Sequence, residues 1–113
     1  MKDFSGANGI LYRCHLSNTG WENSWKKSGQ TSGTTREARP IEAVQIKLTG
    51  VLSSYYDVYY RVHSANYGWL GWAENGETAG TTGGGLRAEA LQIKIVPKSQ
   101  SVEPHEKWTA LYS

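Results

Sequence analysis

Apolar and polar positions alternate in four stretches of this chain. In Leu11–Leu16, the residues Tyr12, Cys14 and Leu16 share one face while Arg13 and His15 share the other. Val58, Tyr60 and Val62 repeat the first face, and Arg61 and His63 the second. Val44, Ile46 and Leu48 alternate with Gln45 and Lys47, as Leu91, Ile93 and Ile95 do with Gln92 and Lys94. Period two is the pattern of a half-buried strand, whose successive side chains point to opposite sides. A helix over LRAEALQIK competes, because that segment is rich in helix formers. The alternation recurs at both places and Pro40 interrupts the first, so strands are expected. The Asn-x-Gly steps before Trp21 and Trp69 read as turns. Residues 1–9 read as an irregular polar arm and 49–57 as a connector. The tail 97–113 opens on Pro97, ends in KWTALYS and is a candidate for one more strand.

The strands pair off because the chain repeats itself. Tyr12, Arg13, His15, Asn18, Gly20 and Trp21 recur as Tyr60, Arg61, His63, Asn66, Gly68 and Trp69. Trp25, Gly29, Thr31, Gly33, Thr34 and Thr35 recur as Trp72, Gly76, Thr78, Gly80, Thr81 and Thr82. Glu42, Ala43, Gln45, Ile46 and Lys47 recur as Glu89, Ala90, Gln92, Ile93 and Lys94. Each unit is too short to bury its apolar face alone, so the two are expected to pack together. The expected fold is all-β: a single compact domain over 1–113, built of pseudo-equivalent repeats at about 11–48 and 59–95, as a small barrel, prism or sandwich. A closed three-unit arrangement requires the tail or another chain to supply the missing part. One more residue separates Trp21 from Trp25 than Trp69 from Trp72, and a bulge is expected to absorb it.

Composition agrees. Thirteen glycines, five tryptophans and seven tyrosines, against one phenylalanine and one methionine, suit short strands joined by turns. A net charge of +2 carries no nucleic-acid footprint. No apolar run approaches membrane-spanning length. Residues 1–14 contain no signal-peptide apolar segment, so a fragment of a secreted protein, or one released without a signal as phage proteins are, is expected. The lone cysteine, Cys14, stands where the second repeat has Val62, and reads as a small buried apolar residue.

The pattern H-x5-W, then W-x3-G-x3-G-T-T, then E-A-x-Q-I-K resembles the clostridial hydrophobic repeat with a characteristic tryptophan, the ChW repeat. The resemblance covers about three quarters of the chain. It implies an extracellular module of Gram-positive bacteria or their phages, often part of a surface protein. The second copy is the closer match. The first has REARP where the second has a glycine run, so its site is expected to be the poorer.

Candidate chemistry lies in the loops and on the polar strand faces. By parity Glu42 and Glu89 share the face of the aliphatic residues that follow them, and so need hydrogen-bond donors. They are read as acceptors that fasten the Gly-Thr-Thr turns, in which Thr34 and Thr81 bond backbone through their hydroxyls. A glycosidase pair is disfavoured, because the two glutamates occupy equivalent places. His63, like His15, has no second ligand at metal-binding spacing, and His105 is isolated, so neither a metal nor a cofactor is expected. Gly80–Gly85 lacks the Gly-Lys-Ser/Thr ending of a phosphate loop. Trp21 and Trp69 read as core rings that seat the turns. Trp25 and Trp72, whose polar neighbours differ between copies, read as sugar platforms, with Tyr67, Glu74, Asn75, Arg61 and His63 as polar contacts. The expected function is non-catalytic binding of a cell-surface or cell-wall polysaccharide, not enzymatic, with a protein-interaction or structural module of a surface or phage assembly as the alternative. Neither nucleic acid nor membrane insertion is expected; a homo-oligomer remains open.

Overall fold

A computed structural model describes residues 9–35 and 39–98. The N-terminal arm up to residue 8, the C-terminal strand expected beyond residue 98, and His105 lie outside the described residues.

The first repeat runs through β1 (Gly9–Leu16), β2 (Gly20–Trp21), β3 (Lys26–Lys27) and β4 (Ile41–Thr49). A five-residue helix, α1 (Val51–Tyr55), joins it to the second. The second comprises β5 (Tyr56–Ser64), β6 (Gly68–Trp69), β7 (Ala73–Glu74), β8 (Ala79–Gly80) and β9 (Ala88–Pro97). The four long strands are those predicted from period two, each extended by one to three residues at its ends. LRAEALQIK lies mostly in β9 and is not helical.

Both repeats are built alike. β1 pairs antiparallel with β4, and β5 with β9. The loop between each pair of long strands returns twice to the free edge of the first strand. It forms β2 and β3 on β1, and β6 and β7 on β5. Tyr12 and Tyr60 hold the returning chain in place, donating to the carbonyls of the equivalent residues Gln30 and Glu77. Full burial of Tyr60 pushes its phenol up to about 12.

One element breaks the symmetry. β8 leaves its own repeat and pairs with β4 of the first, Gly80 against Ala43 and Ala79 against Val44. This contact joins the two sheets over one core of Cys14, Leu16, Val44, Ile46, Leu48, Val58, Tyr60, Val62, Leu70, Ala73 and Ala79. Among the described residues β9 pairs only with β5, so the described strands form two packed sheets and not a closed barrel. Gly80 makes the junction possible. Its φ is +113°, and a Cβ there would lie 2.3 Å from the Glu42 carbonyl oxygen.

The extra residue of the first repeat is taken up outside the ladder. It falls in the bend between β2 and β3, among Glu22, Asn23, Ser24 and Trp25, and not in a strand bulge as expected. The bulges lie elsewhere. His15 faces Ala43 while Leu16 faces Ile41, so Glu42 is the unpaired residue. Glu89 is skipped in the same way between His63/Ala90 and Ser64/Ala88.

Candidate functional site

Those bulges overturn the parity argument for the glutamates. An extra residue re-aims the side chain it carries. Glu42 is thereby turned out of the aliphatic row and onto His15, whose Nδ1 lies 3.0 Å from Oε1. The Gly83 amide donates to the same oxygen at 3.4 Å. The side chain of Glu42 is 2% exposed. In the second repeat Glu89 meets His63 Nδ1 at 3.2 Å and Arg87 at 2.8 Å, and its side chain is 35% exposed. The pairs are chemically alike, but only the first is covered.

Next to each pair runs a column of rings and cations. Trp21 lies opposite His15 across β1 and β2, and Trp69 opposite His63 across β5 and β6. The rings meet edge to face, with centroids 5.2 Å and 5.3 Å apart. Arg13 lies over both Trp21 and Trp25, at 5.3 Å and 4.8 Å, and Lys47 lies 4.3 Å from the Trp25 centroid. Arg61 lies over Trp69 and Trp72, at 4.8 Å and 4.7 Å, with Lys94 4.5 Å from Trp72. The indole quadrupole attracts each cation, and the column ties the loop to the strands beneath it. Gln45 and Gln92 fix the guanidinium groups, accepting from Nε of Arg13 and Arg61 at 2.9 Å and 2.7 Å.

This column exchanges the roles expected of the second-repeat tryptophans. Trp72, the expected platform, is 7% exposed, whereas Trp69, the expected core ring, is 37% exposed. Trp72 directly precedes β7, and the pairing of Ala73 with Tyr60 draws it against the sheet. Trp69 stands at the turn, beside Tyr67, which is exposed. In the first repeat Trp21 and Trp25 are both half-buried. Asn75 is occupied in the fold: its Oδ1 accepts from the Val58 amide at 3.0 Å and its Nδ2 donates to Asp57 at 2.9 Å. Glu74 lies in β7, half-buried. His63 thus meets both Glu89 and Trp69, the ring expected in the core, and Tyr67 is exposed two residues before that ring, while Trp72, Glu74 and Asn75 belong to the loop's own frame.

Thr81 also differs from expectation. Thr81 fastens its turn through its backbone amide, which donates to the Glu42 carbonyl at 3.2 Å. Its buried hydroxyl has no hydrogen-bond partner among the described residues. Thr34 is exposed.

Where the second-repeat loop crosses the first repeat, a polar cleft of about 530 Å³ opens. His15 and Glu42 line it from the strands, Ser17, Asn18 and Thr19 from the first turn, and Gly83, Gly84 and Gly85 from the loop. A carboxylate, an imidazole, two hydroxyls, one side-chain amide and bare glycine backbone thus face one space. Among the described residues no three His, Cys, Asp or Glu side chains converge as a metal site would require.

Glu22 was not among the expected residues. It accepts from the Cys14 amide at 3.1 Å, the Gly33 amide at 2.9 Å and the Ser32 hydroxyl. Burial raises its carboxyl, but the bonds from Ser32, Gly33 and Cys14 and the nearby Lys26 outweigh that and hold it below the ordinary value. A signal was present in the sequence: Glu22 stands where the second repeat has the core residue Leu70.

The pattern of the Clostridial hydrophobic W family, ChW, matches residues 15–50 and 63–97. The two matched segments begin at the two histidines of the columns and each reaches the last long strand of its repeat. No curated protein and no solved structure matches the chain.

Proposed function

The chain belongs to the Clostridial hydrophobic W family, and from that premise we propose that it is a non-catalytic glycan-binding module directed at a cell-surface or cell-wall polysaccharide. The observation that carries the reading is the cleft between the repeats. A sugar presents hydroxyls that both donate and accept, on a ring with apolar faces. The His15–Glu42 pair offers an acceptor held in place, Asn18 and Thr19 offer short polar side chains, and Gly83–Gly85 lets a ligand approach backbone amides closely. The partly exposed ring of Trp69, edge-on to the His63 that pairs with Glu89, and the exposed Tyr67 two residues earlier offer flat surface of the kind that the apolar face of a sugar requires. Two related surfaces in one chain fit weak sites that gain from avidity on a repeating polymer. Such a module acts outside the cell, as part of a surface protein or a phage particle.

The test is a glycan array that includes Gram-positive cell-wall polysaccharides, followed by calorimetric titration of each hit. Asn18→Ala and Trp69→Ala should each weaken binding roughly tenfold or more, the loss of about 1.4 kcal/mol. An array without hits, or hits whose affinity neither variant changes, contradicts the proposal.

A further inference from the structure

The contact that joins the two repeats is present in this chain one and a half times. Its complete form lies between β4 and the second-repeat loop. There Gly76 N donates to the Ile46 carbonyl at 2.7 Å, Gln45 Nε2 to Thr78 Oγ1 at 3.1 Å, and Thr81 N to the Glu42 carbonyl at 3.2 Å. All six of those residues recur identically in the other repeat: Ile93, Gln92 and Glu89 on β9, and Gly29, Thr31 and Thr34 in the first-repeat loop. Gly33 repeats Gly80 and holds the same left-handed conformation, φ +97° against +113°. At Gly80 a Cβ would strike strand backbone; at Gly33 it would meet only the tip of Ile41.

Among the described residues, β9 lacks the cover that β4 has. On β4, Val44, Ile46 and Leu48 are at most 9% exposed. Their counterparts on β9, Leu91, Ile93 and Ile95, are 45% to 49% exposed. The opposing face shows the same imbalance. Val58 and Tyr60 are buried, while their counterparts Ile10 and Tyr12 of the first repeat are only half-buried; Cys14, like Val62, is buried. The open halves border one apolar groove of about 480 Å³, with Ile10, Tyr12 and Ser32 on one side and Ala90, Leu91 and Ile93 on the other. An aliphatic strand face with an unpaired edge is a template for another strand.

We propose that β9 of one chain docks the first-repeat loop, residues 29–34, of a second copy of this chain, by the contact that already joins the repeats within each chain. The occupant follows from the identities. What covers β4 is a strand face of alternating aliphatic and tyrosine residues with a Gly-x-Thr-x-Gly-Thr loop, and the other example in the sequence is the first repeat. The interface is head-to-tail: β9 and the loop are different surfaces, so each copy carries one of each.

Light scattering over a concentration series tests this with two variants at exposed positions, Ile93→Lys on β9 and Thr31→Lys in the loop. The parent chain should rise above its 12.5 kDa monomer mass as concentration increases. Each variant alone should remain at monomer mass at concentrations where the parent associates. An equimolar mixture should give a species of two chains, because the intact loop of Ile93→Lys meets the intact β9 of Thr31→Lys. A parent monomeric at every concentration overturns the proposal, as it would if another segment of the chain filled the groove. Association that survives in Thr31→Lys, or a mixture no heavier than its components, also overturns it, since β9 would then pair with β9.

Discussion

His15 and Glu42 meet at 3.0 Å across a bulge that leaves the carboxylate almost wholly buried, while their repeats, His63 and Glu89, meet at 3.2 Å in the open. One loop makes the difference. Gly83–Gly85 of the second repeat covers the first pair, and no equivalent loop covers the second among the described residues. The first cleft is therefore a product of repeat packing.

Glu42→Ala is expected to destabilise the fold by about 1–3 kcal/mol, because it strips a buried acceptor from its donors. Glu89→Ala should cost no more than about 1 kcal/mol, as for an exposed ion pair. Chemical denaturation of both variants checks the asymmetry, and equal losses would contradict it.

Glu22 should make stability pH-dependent. Its folded pKa lies below its unfolded value, so its stabilisation is full above the unfolded pKa, near 4.5, and is lost as pH falls through the folded value. Glu22→Gln should therefore be less stable than the parent at pH 7, with the gap closing as both are titrated into acid. Thermal melts across that range measure the gap.

Tyr60 should act at the opposite end. Its folded value of about 12 exceeds the ordinary 10.0, so the contribution is complete below pH 10 and falls away as pH rises toward 12. A stability loss over that range that disappears in Tyr60→Phe is the expected signature.

Cys14→Val should cost less than about 1.5 kcal/mol, since Val62 fills the equivalent place in the core and the volumes are close. Native Cys14 should label slowly, because burial both shields the thiol and raises its pKa.

The long strands could be read in the sequence because each keeps its register over five or more residues. The repeat could be read because residue identities survive in both copies. The aim of Glu42 could not, because parity assumes an unbroken ladder and the bulge lies at the glutamate itself. Nor could β8, a two-residue strand whose partner belongs to the other repeat. The fate of Trp69 and Trp72 turned on the same kind of fact. Two rings three residues apart look alike in sequence, and the pairing of Ala73 with Tyr60 decides which is buried.

That burial separates the two rings in stability. Trp72→Ala should cost about 3–5 kcal/mol, the range for a buried aromatic. Trp69→Ala should cost distinctly less, because more than a third of the ring already faces solvent. Parallel thermal melts decide between them.

The glycan-binding reading is tested most directly by following the indole N–H signals of the five tryptophans by NMR while a saccharide selected on the array is added. The signals of Trp21 and Trp69, next to the two His–Glu pairs, should move in a saturable way while that of Trp72 stays in place. No movement at saturating saccharide, or movement of Trp72 with Trp21 and Trp69 unchanged, would contradict the account.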